Sequence, residues 1–246
     1  MKRILISGGN GKFAQSVAKQ RGENIVFAPP RSRMDITELQ DIEAAIEIYK
    51  PDIFLHAAAY TRPMSKHHEN ADVSIQSNII GTCNVVLACM KYNVKLVYIS
   101  TDYVYPGTQG DYNEEDALSP FNTDKPDGVA KYGWSKLGGE CAVRMYDNSL
   151  ILRVCMCDYP FPHDYALIDV KKSLMYNFEA AETVLKLLDE TGVINVGGEA
   201  QIVFDFAWKE KPHVKMISKF DVEDVNIAPD TSMNTSKLKE ILNDKT

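Results

Sequence analysis

A tyrosine and a lysine four residues apart, Tyr132 and Lys136 in "YGWSK", could act together on a proton. On a helix, positions i and i+4 share a face, so both groups can reach one ligand. A phenol ordinarily holds its proton to a pKa of about 10. A nearby ammonium favours the phenolate and brings that proton within reach of neutral-pH catalysis. Reduction of a ketone needs such a proton donor together with a source of hydride. The pair alone proves little, because twelve tyrosines in one chain yield about one Tyr-x-x-x-Lys by chance. Its meaning depends on the elements that position it.

Those elements begin at the N-terminus. "RILIS" (3–7) runs straight into "SGGNGKFAQSVAKQ", where Gly9-x-Gly11-x-x-Ala14 fits a dinucleotide fingerprint with Gly8 ahead of it. Glycines let the turn approach a pyrophosphate, and the following helix offers free N–H groups and the positive end of its dipole. A nucleoside-triphosphate loop is excluded, since Ile6 and Phe13 stand where that motif needs glycine and Ser or Thr. "NIVFA" (24–28), "DIFLHA" (52–57), "KLVYIS" (95–100) and "SLILRV" (149–154) are further apolar strands. Helices are expected between them at 12–21, 37–49, 69–92 and 130–147, with Thr37 capping the second and Pro51 ending it. Continuous apolar strands alternating with helices predict an α/β fold, a Rossmann-type doubly wound parallel sheet. Residues 1–154 would form the dinucleotide-binding region. Residues 155–246 would form a reduced substrate-binding C-terminal subregion, with a helix at 173–190, short strands in "VINVGG" and "VKMIS", and a capped helix in "NTSKLKEIL".

After the second strand an NAD-selective site usually places an acidic residue for the ribose. Here "PPRSR" follows, and Arg31 and Arg33 could instead hold a 2′-phosphate, which tilts the expectation from NADH towards NADPH. The chain has 246 residues, 45% hydrophobic and 25% charged, with a net charge of -7. That balance argues against a nucleic-acid or anionic-membrane binder. No segment is expected to be apolar for long enough to span a membrane or act as a signal core. The five cysteines fit reduced thiols in a cytoplasmic protein, and Cys155-x-Cys157 lacks a second pair at zinc-site spacing. No metal is expected. His67, His68 and His163 are expected at the surface or in loops rather than as ligands.

Five motifs then occur in order: "ILISGGNGKFA", "MDIT" (34–37), "PDIFLHAAAYT" (51–61), "YISTDYVYPG" (98–107) and "YGWSKLGGE" (132–140). With "PDTSMNTSKL" (229–238), they resemble the dTDP-4-dehydrorhamnose reductase-like branch of the extended short-chain dehydrogenases/reductases. The resemblance implies that Gly8, Gly11, Lys12 and Phe13 contact the cofactor pyrophosphate. It implies that Asp35 and Ile36 lie near the adenine, and that Ala58, Ala59 and Tyr60 run along the cofactor. Asn78 resembles the helix asparagine that supports the active-site lysine. Thr101 would be the catalytic Ser/Thr with Asp102 beside the substrate, and Tyr132 and Lys136 the catalytic pair, Lys136 also holding the nicotinamide ribose. The implied activity is NAD(P)H-dependent reduction of a nucleoside-diphosphate-linked 4-keto-6-deoxy sugar, and a homodimer is compatible with it. Two other readings stay open: a non-catalytic dinucleotide-binding regulatory subunit, and another short-chain epimerase or dehydratase. Dehydratases typically carry an acidic pair after the Ser/Thr, and only Asp102 stands here.

The chain departs from the branch after its fifth strand. "ILRVCMCDYPFPHDYALIDVKK" keeps Arg153, has no tryptophan and is short, and Ala228-Pro229 replaces an arginine-proline. The loop "NTDKPDGVA" (122–130) is a candidate for partial compensation.

Overall fold

The computed structural model describes residues 1–61, 63–121, 128–223 and 226–244, so residues 122–127 of the candidate compensating loop lie outside the described residues. Strands β1 (Arg3–Ser7), β3 (Ile53–His56), β4 (Lys95–Thr101) and β5 (Ser149–Val154) lie side by side. β2 (Ile25–Phe27) flanks β1, and β10 (Gly192–Val196) flanks β5. Every pairing in this six-stranded sheet is parallel. The fold is the expected Rossmann-type doubly wound α/β sheet, with strand order β10-β5-β4-β3-β1-β2.

The strands are apolar throughout because both faces are covered. Ile4 and Ile6 join a core with Phe13, Ala14 and Val17 of α1 (Lys12–Lys19). Val184 of α6 (Asn177–Leu187) and Leu238 of α8 (Ser236–Asn243) pack into the same layer. Leu5, one residue out of phase, faces Ile42 of α2 (Leu39–Tyr49), Val85 of α4 (Ala71–Tyr92) and Val143 of α5 (Gly128–Val143). A helical turn at Lys66–Glu69, α3, precedes α4.

Several boundaries differ from the expectation. Helix α2 starts at Leu39 with Glu38 at its N-cap, because the Thr37 hydroxyl donates to Asp35 Oδ1 at 2.9 Å instead of capping. Met175–Tyr176 form strand β9 rather than the first turn of a helix. The expected capped final helix, α8, has Thr235 at its N-cap without a side-chain cap hydrogen bond, while Asn234 Oδ1 accepts from the Ser236 N–H at 2.9 Å. Helix α4 carries a π-helical stretch at Ile75–Ile80. Contrary to expectation, Ala71–Tyr92 is long and apolar enough by length and composition to cross a membrane, with a mean hydropathy of 1.4. Its apolar side packs against α2 and α5.

The chain after β5 makes short ribbons: β6 (Met156–Cys157) with β9, β7 (Tyr165–Leu167) with β12 (Lys215–Ile217), and β8 (Lys171–Lys172) with β11 (Gln201–Ile202). Phe161, Val170 and Tyr176 gather there against Val203 and Phe206 of α7 (Val203–Glu210) in a small core of their own. The C-terminal segment then bridges to the stretch after β4, where Tyr112 N–H donates to Ser232 O at 3.0 Å and Asn234 N–H to Tyr112 O at 2.9 Å.

One buried ion pair fastens α5 to the sheet. Arg153 and Ser100 are register partners on β5 and β4, and both engage Glu140 of α5. Arg153 donates through Nη2 to Glu140 Oε1 at 2.5 Å, and Ser100 Oγ donates to Glu140 Oε2 at 2.9 Å. The guanidinium also donates to Tyr105 Oη at 2.7 Å and to the Glu114 carbonyl at 2.9 Å. Both ionic side chains are fully buried.

Candidate active site

The carboxyl ends of β1, β3 and β4 open into a cavity of about 1460 Å³. In open α/β sheets ligands bind at this edge, where the strand order reverses, here between β1 and β3. At one end lies the glycine turn. Gly8 has φ +75, which an L side chain rarely adopts. A Cβ on Gly9 would fall 2.2 Å from the Ala28 carbonyl oxygen, so only glycine lets the turn sit this close to the end of β2. Gly11 is the N-cap of α1 with no side-chain cap, which leaves the N–H groups of the first turn to a ligand.

Gly8, Gly11, Lys12 and Phe13 all line this end of the cavity, and Arg31, Asp35 and Ile36 line it beyond β2. Arg31 Nε donates to Asp35 Oδ2 at 2.8 Å on an exposed edge, while Arg33 is not part of the wall. Burial opposes the Asp35 carboxylate, but hydrogen bonds from Thr37 and Arg31 outweigh it and hold its pKa below the ordinary value. Ala58, Ala59 and Tyr60 continue the wall from β3. Uncapped helix N–H groups, a turn that excludes side chains, and the cations Lys12 and Arg31 together fit the pyrophosphate and adenosine half of a dinucleotide.

Thr101, Asp102, Tyr132 and Lys136 line the same cavity from β4 and α5. Gly133 lets α5 come close, since a Cβ there would stand 2.5 Å from the Tyr103 carbonyl oxygen. Lys136 is buried, with its Nζ 4.2 Å from the centroid of the Tyr98 ring. Burial pushes its pKa down to about 7, against the opposing pull of Glu140 one turn on. Asn78 is buried but does not line the cavity among the described residues. Its amide instead brackets Tyr60, accepting from the backbone N–H at 2.7 Å and donating to the carbonyl at 2.9 Å. It also donates to Ser135 Oγ at 2.8 Å, so it ties the β3 edge to the helix that carries Tyr132 and Lys136.

Asp102 is buried and held by residues far away in the chain. Its Oδ1 accepts from Thr101 Oγ1 at 3.1 Å, and its Oδ2 from Thr231 Oγ1 at 2.6 Å and Lys172 Nζ at 2.5 Å. Lys172 Nζ also lies 3.9 Å from the centre of the Tyr103 ring. Lys172 and Thr231 were not anticipated. The doubled lysine of "DVKK" and the threonine of "PDTSM" carry no local sign that they will meet Asp102. Arg153, noted only as a residue kept from the branch, is the buried partner of Glu140.

The expectation for His67 is corrected. The ring is fully buried, with centroids 4.6 Å from Tyr60 and 5.1 Å from Tyr132, and its Nδ1 is 2.8 Å from Ser74 Oγ. Burial lowers its pKa, so it packs as a neutral ring behind the tyrosine. Two adjacent histidines gave no polarity signal, and the short turn α3 turned one inward while His68 stayed exposed. His163 is exposed at the cavity rim.

Residues 1–157 match the RmlD substrate binding domain family. The chain belongs to that family. Among relatives of this RmlD-family chain, the dTDP-4-dehydrorhamnose reductase of Aggregatibacter actinomycetemcomitans is 32% identical over 162 residues, which is 62% of this chain and 51% of that protein. Methionine adenosyltransferase 2 subunit beta of Rattus norvegicus is 32% identical over 165 residues, 62% of this chain and 46% of that protein. The chain thus matches about half the length of these curated relatives. The crystal structure of dTDP-4-dehydrorhamnose reductase from Bacillus anthracis in complex with NADP has the same fold. Its TM-score is 0.84 at 23% identity, covering 97% of this chain and 91% of that one. The crystal structure of a hypothetical dTDP-4-dehydrorhamnose reductase from Sulfolobus tokodaii gives 0.82 at 26% identity, covering 97% and 94%.

Proposed function

We propose that this RmlD-family chain is an NAD(P)H-dependent reductase of a nucleotide-linked 4-keto-6-deoxy sugar, with Tyr132 as proton donor. One observation carries the reading: Thr101, Tyr132 and Lys136 share a cavity wall with the glycine turn and the N-terminus of α1. The similarity to a dTDP-4-dehydrorhamnose reductase and the NADP complex of a structural neighbour support it. A reduced nicotinamide, when bound, supplies the hydride. Gly8, Gly11 and the first turn of α1 would hold its pyrophosphate, and Arg31 favours NADPH by offering a cation to a 2′-phosphate. Thr101 would bind the ketone oxygen, and Tyr132 would give its phenolic proton to that oxygen as charge develops there. Lys136 in its ammonium form would stabilise the phenolate left behind. Ser135 and Asn78 fix the helix face on which both groups stand.

The test is oxidation of NADPH by the purified protein when given a dTDP-linked 4-keto-6-deoxy sugar, followed by absorbance, with NADH compared under the same conditions. Tyr132→Phe is expected to lose at least about a hundredfold in turnover while binding NADPH unchanged. Wild-type rates in that variant would refute Tyr132 as donor. Tight NADPH binding without turnover of any nucleotide sugar would favour the second reading, a non-catalytic dinucleotide-binding subunit. The similarity to methionine adenosyltransferase 2 subunit beta supports that alternative.

A further inference from the structure

Resting on the reductase reading, we propose that Lys172 selects the substrate by donating a hydrogen bond to a hydroxyl on the carbon next to the ketone. The resemblance placed Asp102 beside the substrate. Its acceptors, however, are occupied: Oδ1 takes the Thr101 hydroxyl, and Oδ2 takes both Thr231 and Lys172. Oδ2, which receives two donors, has little left to offer a sugar hydroxyl, and Oδ1 is freed only when the Thr101 proton turns to the ketone oxygen. The group with unspent capacity at that place is Lys172. An ammonium carries three N–H donors. Among the described residues, Lys172 hydrogen-bonds Asp102 Oδ2 and Tyr103, whose ring centre lies at 3.9 Å, so two of its three donors are engaged. At least one donor of a nearly buried cation on the cavity wall therefore remains for a ligand.

The position sets what that ligand group is. Lys172 is linked through the Asp102 carboxylate to Thr101, the residue that would meet the ketone oxygen. A cation so near the reacting carbonyl reaches an oxygen on a neighbouring carbon, which makes the substrate class an α-hydroxy ketone rather than a simple ketone. Thr231 fixes the second side of the carboxylate, so Asp102 acts as a positioning residue that aims Lys172. The buried cation is compensated by its partner: burial opposes its charge, but the Asp102 carboxylate outweighs burial and keeps it protonated. If the lysine did no more than neutralise Asp102, replacing both groups together would leave recognition intact, which separates the two roles.

The experiment measures binding of a dTDP-linked 6-deoxyhexose and of its 3-deoxy counterpart to the NADP-loaded full chain by calorimetry, with turnover of the matching ketones assayed on the same preparations. Wild type is expected to prefer the hydroxylated ligand by about 10- to 100-fold, the range for a hydrogen bond to a charged donor. Lys172→Met, and the charge-balanced Asp102→Asn/Lys172→Met in case the single variant misfolds, should bring that preference to within about threefold, with NADP binding unchanged. An undiminished preference in a folded variant overturns the proposal, as does a wild type that binds both ligands equally or neither. Selective binding without turnover in wild type would sink the reductase reading and leave the role of Lys172 standing.

Discussion

Replacing Arg153 by Met tests how α5, and with it Tyr132 and Lys136, is anchored. In the native protein the guanidinium and the Glu140 carboxylate are both fully buried, 2.5 Å apart, with Ser100 and Tyr105 completing the network. Burial opposes the Glu140 charge, but Arg153, Ser100 and Arg144 outweigh it and hold its pKa below the ordinary 4.5. Arg153→Met leaves that carboxylate in an apolar site with Ser100 and the half-exposed Arg144. Breaking a buried pair on one side costs about 3–5 kcal/mol. For a chain of this length, each kcal/mol moves Tm by about 2–4 °C, so the expected loss is about 6–20 °C. The sign of the pH dependence follows from linkage. With its folded pKa depressed, Glu140 stabilises the wild type fully above its unfolded pKa, and that stability is lost as pH falls through the folded value. Without Arg153 the uncompensated burial raises the folded pKa, so the penalty is largest at neutral pH and shrinks near about pH 4, where the carboxyl protonates. The double variant Glu140→Gln/Arg153→Met should lose less than Arg153→Met alone, because no buried charge is stranded. Thermal denaturation at both pH values reads all of this. A Tm within about 2 °C of wild type for Arg153→Met, or a double variant whose losses simply add, would refute the reasoning.

Two further outcomes are expected. Gly9→Ala places a Cβ 2.2 Å from the Ala28 carbonyl oxygen, a backbone atom that cannot swing aside. It should cost about 1–3 kcal/mol in denaturant unfolding and weaken NADPH binding in a fluorescence titration, and unchanged values for both would contradict the close approach. Lys136, lowered to about 7 from 10.5, binds its proton more weakly folded than unfolded. The wild type should therefore gain about 2 kcal/mol from pH 7 to pH 9 relative to Lys136→Met, and parallel stability curves for the two proteins would refute the burial of that amine.

Much of the candidate site was written locally. The glycine turn needs only Gly8, Gly9 and Gly11 at the end of an apolar strand, and the backbone conformation that excludes side chains follows from those few residues. Tyr132 and Lys136 share a face because a helix repeats every 3.6 residues, and "STDYVY" reaches the cavity because it ends a strand. The parallel sheet was legible for the same reason: runs such as "KLVYIS" are apolar without alternation, as strands covered on both faces must be.

The rest was decided by contacts between distant parts of the chain. Asp102 is bound by Lys172, 70 residues on, and by Thr231, 129 residues on, and no periodicity in either segment points to that meeting. Glu140 and Arg153 pair because α5 lies over β5, and His67 is buried because α3 docks its ring on Tyr132. Charge and polarity are properties of a residue, but desolvation and pairing are properties of a place. The sequence by itself determined which turn is shaped for a dinucleotide and which tyrosine and lysine share a helix face on the same cavity. Only the tertiary structure decided that Asp102 Oδ2 is spent on the protein's own donors, that Lys136 is desolvated, and that Lys172 stands at the cavity wall.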